Sequence, residues 1–454
     1  MASHQIHRFL TPARLLAGSF ACLILAGAAL LELPFCQAGA PVSRLDCLFT
    51  AASAVCVTGL ITVDTARVWS GWGQLVIAGL IQLGGLGIMT FSVALLHLVG
   101  KKPSARSHHA IRGALGTVPA AELGRLTRDV LVYTVVLEAV GAGLLYLSFR
   151  RDFPPVEAAA QAAFHAVSAF CNAGFSLFSN NLMNYRGDWL VNLVVMGLIV
   201  AGGLGFLVLR ELRAQFAPGG ARRRRLSLHT RLVLFTSSGL IVVGWLVLMF
   251  LEHAYGGGRV WGGSPWAALF LAITPRTAGF NTVDLNQLSN ASLLVLMLLM
   301  FVGASPGSTG GGVKTTTVAC LWGMAWTRLR GRPGAVLWRR SISPEQLGQA
   351  LTLMLVTLAA LVAGVLFMVS FGLSGPDEGH MRQDFLALAF ETASALGTVG
   401  LSLGVTPLLT PAGKLVLIAW MFLGRLGPLT LIFSLTQRLE HPGHRPVEER
   451  ISLG

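Results

Sequence analysis

Long apolar stretches dominate this sequence, and each has about the 20 residues that an α-helix needs to cross a bilayer. Charged residues make up only 12% of the chain, whereas a soluble domain carries roughly 25%. The sequence therefore predicts an integral membrane protein of the all-α class with eight transmembrane helices. The predicted spans are Leu15–Phe35, Leu75–Gly100, Asp129–Phe149, Trp189–Leu209, Leu232–Leu251, Ala350–Leu373, Ala412–Leu435 and one that starts near Ala291, is interrupted by GASPGSTGGGVK and resumes at Thr315.

The net charge of +14 lies mostly in short segments between the spans and at the chain ends. Lys and Arg collect in cytoplasmic loops, and counting spans places Lys101–Arg112, Arg222–Arg231 and both termini on one side. We therefore expect a multi-pass protein of the cell (inner or plasma) membrane with cytoplasmic termini and no nucleic-acid partner. The alternative is a basic surface for RNA or anionic lipid. Arg8, Arg14 and the AGA at Ala38–Ala40 also resemble a cleavable leader, although the apolar stretch is longer than usual.

A glycine-centred string recurs four times and reads FTAASAVCVTGL, FHAVSAFCNAGF, LFLAITPRTAGF and FETASALGTVGL. Each string lies at the end of an apolar segment of roughly 10–16 residues, which is too short to cross a bilayer. Lipid cannot satisfy free backbone groups, so such a segment is expected to dip into the membrane inside the protein and return. The half-length segments are Arg44–Cys56, Val156–Cys171, Pro265–Thr274 and Asp384–Leu396.

Four such segments around one axis would surround a pore with carbonyl oxygens, which can replace the hydration shell of an ion. Glycine suits this role because it adopts positive φ without a Cβ clash, and the helix C-termini would face the cation. Asp64 and Asp284, five residues after the first and third glycines, are expected at the outer mouth, where they attract cations. For any single string, the alternative is that small residues only allow close helix packing.

The string GASPGSTGGGVK interrupts the third repeat with a proline and several glycines, which a membrane helix does not accommodate. We expect it to form a loop inside the protein that blocks the path on the cytoplasmic side. Arg425 is expected to hydrogen-bond this loop and hold it, and its charge opposes cations. Alternatively, Lys314 and Arg425 extend to the lipid headgroups. The candidate gate residues are Ser308, Thr309, Gly310, Gly311, Gly312, Lys314 and Arg425.

Three further charged residues lie at predicted membrane depth. Arg276 lies beside Gly279 and would repel cations if it faced the pore, so we expect it to brace the loop from behind, with Glu391 as its candidate partner. Glu138 is expected to brace the helix bundle without a role in conduction.

The strings VTGLITVDT, SAFCNAGFSL, TPRTAGFNTVD, ASPGSTGGGVKTTT and SALGTVGLSLGVTP resemble, in order, motifs of the Trk/Ktr superfamily of potassium transporter membrane subunits. The resemblance is closest to KtrB-type members and implies four membrane–pore–membrane repeats around a central ion pore. The implied repeats are 1–100, 101–217, 218–330 with the broken helix as an intramembrane gating loop, and 331–454 with a cytoplasmic tail. By motif match, the K⁺ selectivity filter is Val57, Thr58, Gly59, Asn172, Ala173, Gly174, Thr277, Ala278, Gly279, Thr398, Val399 and Gly400.

The resemblance also implies a homodimer that is gated by a cytoplasmic KtrA-like nucleotide-binding subunit and often stimulated by Na⁺. No cofactor is expected in this chain beyond K⁺ in the filter, and a requirement for Na⁺ stays open. In the family, glycine at all four positions marks K⁺ selectivity and serine at the first marks Na⁺-permeable relatives, so Gly59 favours K⁺. Arg425 matches the arginine that faces the gating loop. The residues before the glycines differ between repeats, so selectivity is expected to be looser than in a symmetric channel.

Two other classes fit the sequence less well. An enzyme usually needs clustered acids or a paired base, and here the acidic residues are scattered. The string GGGVKT matches a phosphate-binding loop only weakly, so no enzymatic activity is expected. A rocking secondary transporter would normally show two large repeats rather than four short ones. Coupling to Na⁺ or H⁺ is not decided by the sequence.

Overall fold

A computed structural model of the chain describes residues 12–87, 123–216, 226–255, 259–261, 264–331, 335–338, 340–373 and 381–427. Within these ranges the protein is built from α-helices, apart from 3₁₀ turns and one short hairpin of strands β1 (Ala335–Leu337) and β2 (Arg340–Ile342). The helices are α1 (Pro12–Leu31), α2 (Arg44–Val55), α3 (Thr65–Val68), α4 (Gly71–Gly85), α5 (Leu123–Phe149), α6 (Pro155–Phe170), α7 (Trp189–Leu204), α8 (Phe206–Phe216), α9 (Leu228–Tyr255), α10 (Pro265–Ile273), α11 (Asn290–Phe301), α12 (Thr315–Leu329), α13 (Pro344–Phe371), α14 (Met381–Gly397) and α15 (Pro411–Leu426).

Three described helices, α5, α9 and α13, are long and apolar enough to cross a membrane by themselves. Together, α7 and α8 also reach the required length, but they are bent by 104° at the break between them. The predicted span Trp189–Leu209 is therefore broken into two helices instead of forming one continuous helix. The bend occurs at Gly205, whose φ is +90°, and the next amide, Phe206 N, donates to the carbonyl oxygen of Gly307 at 3.1 Å rather than continuing α7.

Two other predicted spans are only partly described. Helix α4 ends at Gly85, close to Gly87 with a φ of +72°, and α15 ends at Leu426 before Gly427 with a φ of +81°. The remainders of Leu75–Gly100 and Ala412–Leu435 lie outside the described residues. Within the described parts, α4, α7 and α15 each end at or close to a glycine with positive φ, a conformation that glycine adopts more readily than other residues.

The half-length segments of the sequence form helices α2, α6, α10 and α14, with bounds close to those predicted. Each packs on the long helix before it, and α2, α6 and α14 also pack on the helix after it. Contacts between these groups follow the chain order: α4 packs on α6, α7 on α10, α11 on α14 and α15 on α2. The last contact closes a ring, which brings the ends of the four half-length helices together.

Buried and exposed apolar residues divide between inner and outer helices. Phe49, Phe270 and Phe390 of the half-length helices are fully buried. By contrast, Phe250 of α9 is 70% exposed and Leu366 of α13 is 64% exposed. A helix that presents large apolar side chains outward is expected of a membrane protein, because lipid tails accept them at no cost.

Candidate functional site

The four repeated glycines meet at the ends of the half-length helices. A methyl group built on Gly59 would collide with the carbonyl oxygen of Ala173 and lie 3.0 Å from the Cα of Gly174. A methyl group built on Gly174 would lie 3.0 Å from the Cα of Gly279, one on Gly279 would lie 3.1 Å from the Cα of Gly400, and one on Gly400 would lie 3.0 Å from the Cα of Gly59. The glycines therefore form a closed ring of backbone that leaves no room for a side chain at these positions.

The backbone of the four strings shares an unusual conformation. The residue two before each glycine has positive φ although it is not glycine, and the glycine has positive φ as well, while the residue between does not. Alternating left-handed and right-handed backbone turns successive peptide groups to the same side. A non-glycine residue in the left-handed region costs about 1–2 kcal/mol, and such strain clusters at functional sites. The residues are Val57 (57°), Asn172 (61°), Thr277 (67°) and Thr398 (50°), followed by Gly59 (92°), Gly174 (70°), Gly279 (76°) and Gly400 (94°).

Hydroxyl groups of the half-length helices hold the strings in place. Ser53 Oγ accepts a hydrogen bond from Gly59 N, and Ser394 Oγ accepts one from Gly400 N, both at 3.0 Å. In the second string Ser168 Oγ instead donates to the carbonyl oxygen of Phe175 at 2.7 Å. Sequence reasoning gave these serines no role, although a serine six residues before the glycine in three of the four strings was a signal for one.

All eight non-glycine residues of the predicted filter are fully buried: Val57, Thr58, Asn172, Ala173, Thr277, Ala278, Thr398 and Val399. The side-chain amide of Asn172 lies 3.5 Å from Thr277 Oγ1. Thr58 Oγ1 and Thr398 Oγ1 have no hydrogen-bond partner within the described ranges. Buried hydroxyls without a partner are uncommon, so the strings carry two hydroxyl oxygen atoms next to the filter glycines that are unpaired in the described part of the chain.

The loop between α11 and α12 lies directly against the third and fourth strings. A methyl group on Gly310 would collide with Thr277 Oγ1, and one on Gly311 would collide with Thr398 Oγ1. Thr309 Oγ1 donates to the carbonyl oxygen of Phe170, the last residue of α6, at 3.2 Å. The predicted gating loop therefore touches the strings that it was expected to face.

Neighbouring helix ends fix the position of the loop. Its backbone amides donate to three glycine carbonyls: Ser305 N to Gly203 O at 3.1 Å, Thr309 N to Gly202 O at 3.2 Å, and Gly312 N to Gly424 O at 3.4 Å. Ser308 supports the loop internally, because its Oγ accepts from Gly310 N at 3.3 Å. The carbonyls belong to α7 and α15, so the loop is hydrogen-bonded to the second and the fourth repeat.

The positively charged side chains of Lys314 and Arg425 both donate hydrogen bonds to backbone carbonyls of this region. Arg425 Nη1 donates to the carbonyl oxygen of Thr309, and its Nη2 donates to those of Gly84 and Gly85, the latter at 3.4 Å. Lys314 Nζ donates to Gly310 O at 2.8 Å and Gly311 O at 3.4 Å. Both side chains therefore bind the loop, whereas the alternative interpretation had them extend to the lipid headgroups. The role of the Gly84 and Gly85 carbonyls was not anticipated.

Asp64 and Asp284 take matching positions after the first and third strings. Asp64 Oδ1 accepts from Ala66 N at 2.9 Å, and Asp284 Oδ1 accepts from Asn286 N at 3.0 Å. Each carboxylate thus caps the short helical turn that follows it. This capping role was not predicted, and it accounts for the shared TVD sequence as a local turn.

The predicted contact between Arg276 and Glu391 is wrong. Glu391 is fully buried and accepts hydrogen bonds from Ser402, Leu403 and Thr406 instead. Hydroxyl and amide donors compensate a buried carboxylate as a cation would, and among the described residues Glu391 makes no ion pair.

Glu138 bridges three helices, as a bracing residue would. Its Oε2 accepts from Gln82 Nε2 of α4 at 3.1 Å, and its Oε1 lies 3.8 Å from Cys171 Sγ at the end of α6. The basic segment Lys101–Arg112 and the first part of Arg222–Arg231, which the sequence placed on the cytoplasmic side, lie outside the described residues.

Comparison with known proteins identifies the family. The sequence matches the TrkH family, described as cation transport protein, over residues 22–445. It is 39% identical to the Ktr system potassium uptake protein B of Bacillus subtilis (strain 168) over 427 residues, 93% of each chain. It is 36% identical to the potassium/sodium uptake protein NtpJ of Enterococcus hirae, with 99% of each chain covered.

A solved structure has the same overall fold. The potassium transporter TrkH from Vibrio parahaemolyticus matches with a TM-score of 0.68 at 23% identity, over 92% of this chain and 85% of that one. The family match over residues 22–445 and the 39% identical relative confirm the sequence-based resemblance: the chain belongs to the TrkH family of cation transport proteins.

Proposed function

We propose that this chain is the potassium-conducting membrane subunit of a bacterial Ktr-type K⁺ uptake system. The relatives named for potassium uptake support this function. The observation that carries it is the closed ring of Gly59, Gly174, Gly279 and Gly400. A ring without side chains leaves carbonyl oxygens to line the space at its centre, and such oxygens can replace the water around K⁺.

The proposed architecture has eight transmembrane spans in four membrane–pore–membrane repeats, with both termini in the cytoplasm. Helices α2, α6, α10 and α14 are the pore helices, and their C-terminal ends, which carry partial negative charge, face the ion. The ring of contacts between neighbouring helix groups supports this arrangement.

The proposed filter consists of the three residues that end at each glycine. The alternation of φ supports an inward orientation of the carbonyls of Val57-Thr58-Gly59 and of the three equivalent triplets. Asp64 and Asp284 would add negative charge near the outer entrance and raise the local cation concentration.

The proposed gate is the loop at 308–312 together with Lys314 and Arg425. The loop lies against Thr277 and Thr398, directly below two filter strings. Two cations beside the path oppose the passage of K⁺, since like charges repel strongly where water is scarce. Opening requires the loop to leave these threonines, and this breaks the bond between Arg425 and Thr309.

The resemblance to the Ktr systems extends the proposal to partners. The chain would form a homodimer, and a cytoplasmic KtrA-like nucleotide-binding subunit would move the loop. Stimulation by Na⁺ is the remaining part of this proposal. A second candidate function is combined Na⁺ and K⁺ uptake, because the relative from Enterococcus hirae is named for both ions.

Growth of a transport-deficient bacterium at low K⁺ tests the function. The chain alone, or with a candidate partner subunit, should restore growth, and purified protein should carry Rb⁺ into liposomes. Gly59→Ser should admit more Na⁺ relative to K⁺. Failure of both growth and uptake would contradict K⁺ conduction, and equal Na⁺ and Rb⁺ uptake by the wild type would favour the second candidate. Flux that follows a proton gradient would instead indicate a coupled transporter.

A further inference from the structure

The position nine residues before each filter glycine separates the four repeats into two pairs. It is occupied by Thr50, His165, Phe270 and Glu391 in chain order. The second and fourth repeats thus carry a titratable side chain there, and both His165 and Glu391 are fully buried. Burying such a group is costly unless it is hydrogen-bonded, so its partners are informative.

Each side chain binds the equivalent serine of its own repeat. Glu391 Oε1 accepts from Ser402 Oγ at 2.5 Å, and His165 Nε2 lies 2.9 Å from Ser176 Oγ. Each serine is two residues after its filter glycine, and each bond spans eleven residues of chain. The bond therefore ties a pore helix to the segment that leaves the filter, with the filter triplet between the two ends.

The two serines also have the same backbone partner. Ser176 Oγ accepts from Phe178 N at 3.0 Å, and Ser402 Oγ accepts from Gly404 N at 2.9 Å. The same connection is thus built twice with unlike side chains, a histidine and a glutamate. This repetition indicates that the connection itself is required, rather than either residue type.

The remaining partners fix the two side chains in place. His165 Nδ1 lies 2.7 Å from the carbonyl oxygen of Gln161. A carbonyl only accepts, so Nδ1 carries the proton, and the neutral ring accepts from Ser176 at Nε2. Glu391 also accepts from Leu403 N at 3.2 Å and from Thr406 Oγ1 at 2.8 Å.

The first and third repeats do not have this connection. Their residues two after the glycine are Ile61 and Asn281. Thr50 Oγ1 has no hydrogen-bond partner within the described ranges, and Phe270 offers no polar atom. In the ring of glycines, Gly59 and Gly279 lie between the second and fourth repeats on either side, so the two connected repeats lie opposite each other.

We infer that His165 and Glu391 are positioning residues that hold the outer end of the filter at two opposite points and thereby set its discrimination between K⁺ and Na⁺. The inference rests on the proposed function as a K⁺ conductor. It gives the filter a two-fold rather than a four-fold outer frame. A carbonyl ring that is free to contract would fit the smaller Na⁺ better, so loss of a brace lowers selectivity.

The test compares Na⁺ and Rb⁺ uptake by purified variants in liposomes. Ser402→Ala and Glu391→Ala should each lower the Rb⁺/Na⁺ ratio about tenfold, the effect of losing one hydrogen bond to a charged group. Glu391→Gln should keep most of the ratio, because its amide accepts from Ser402 and donates to Thr406. Ser176→Ala should also lower the Rb⁺/Na⁺ ratio, and the double variant should have a lower ratio than either single variant.

Thr50→Val is the matched control, since it removes an unpartnered hydroxyl at the equivalent position of the first repeat. Its ratio should equal that of the wild type. The inference is overturned if Ser176→Ala and Ser402→Ala, folded and present at normal levels, keep the wild-type ratio. It is also overturned if the two variants lower the protein yield but the protein that is obtained keeps the wild-type Rb⁺/Na⁺ ratio.

Gly59→Ser separates this inference from the proposed function. Suppose that the wild type conducts Rb⁺ selectively and that Gly59→Ser loses this selectivity, while Ser176→Ala and Ser402→Ala keep it. The proposed filter is then supported, and the positioning role of His165 and Glu391 is refuted. If the wild type carries no Rb⁺, the proposed function itself fails.

Discussion

Arg425 donates a hydrogen bond from Nη1 to the carbonyl oxygen of Thr309, and the same guanidinium reaches the carbonyl of Gly84 through Nη2. One side chain of α15 thereby joins the loop between α11 and α12 to the end of α4. Hydrogen bonds from a charged donor are roughly twice as strong as neutral ones. This contact is therefore our candidate for the bond that holds the proposed gate closed.

Replacing Arg425 by alanine should open the path. Hydrogen bonds of charged groups contribute about 1.5–3 kcal/mol each, so loss of one of them shifts the closed–open equilibrium roughly tenfold to a hundredfold. Rb⁺ uptake by Arg425→Ala in liposomes without a partner subunit should rise about tenfold. Arg425→Lys, which keeps the charge but not the three-way contact, should be intermediate.

Arg150→Ala is a suitable control for this experiment. Arg150 is an exposed arginine that lies over the ring of Tyr146, with 6.0 Å between its guanidinium carbon and the ring centre. Its removal should leave uptake unchanged. Equal uptake by Arg425→Ala and the wild type would show that Arg425 does not hold the proposed gate closed.

Deleting Ser308–Gly311 should have a larger effect than Arg425→Ala. The deletion removes Gly310 and Gly311, so these two residues no longer cover Thr277 and Thr398 of the proposed filter. Uptake should be high and should no longer respond to a regulatory subunit or its nucleotide. If neither this deletion nor Arg425→Ala changes flux, the loop is not a gate.

Gly59→Ala should abolish most K⁺ uptake. The new methyl group would meet the carbonyl of Ala173, and alanine disfavours the φ of +92° at this position. We expect more than about a tenfold loss of Rb⁺ uptake. Gly79→Ala in α4 is the matched control, since a methyl group there meets no atom within 4 Å. Similar uptake by both variants would show that the ring does not need its glycines.

The ion pair between Lys414 and Asp46 should stabilise the closure of the helix ring. Lys414 Nζ of α15 lies 2.7 Å from Asp46 Oδ1 of α2, and the side chains are 14% and 15% exposed. Lys414→Met should destabilise the fold by about 1–3 kcal/mol, because Asp46 then stays partly buried without its cation. The midpoint of thermal unfolding in detergent measures this loss.

Adding Asp46→Asn to Lys414→Met should recover part of that stability, since no charge is then left alone. Arg44→Met is the control, because Arg44 is 91% exposed and pairs with Glu32 only at 3.9 Å. An exposed pair contributes little. An equal fall in both single variants would contradict a specific role for Lys414.

The helices were predictable where composition alone determines them. The half-length helix α2, for example, ends one residue before its predicted end at Cys56, because an apolar segment this short cannot cross a bilayer and has to turn back inside the protein. The bend at Gly205 was not predictable from hydropathy, since the run AGGLGFLVL at 201–209 is uniformly apolar. Its cause is tertiary: Phe206 N finds the carbonyl of Gly307, which is distant in sequence.

The site was predictable in outline but not in its supports. The expected partner of Glu391 was a cation, because charge pairing is the simplest rule for a buried carboxylate. The structure uses Ser402 and Thr406 instead, and no single-sequence rule distinguishes these solutions. For His165, the serine two residues after the glycine in the second and fourth strings was the available signal.

Rubidium would reveal directly whether carbonyl oxygens surround an ion at the ring of Gly59, Gly174, Gly279 and Gly400. Crystals of the purified protein soaked in Rb⁺ should give an anomalous peak on the axis between these glycines, and excess K⁺ should remove it. A well-ordered map without that peak, or with the four strings separated by lipid, would mean that the ring does not bind the transported ion.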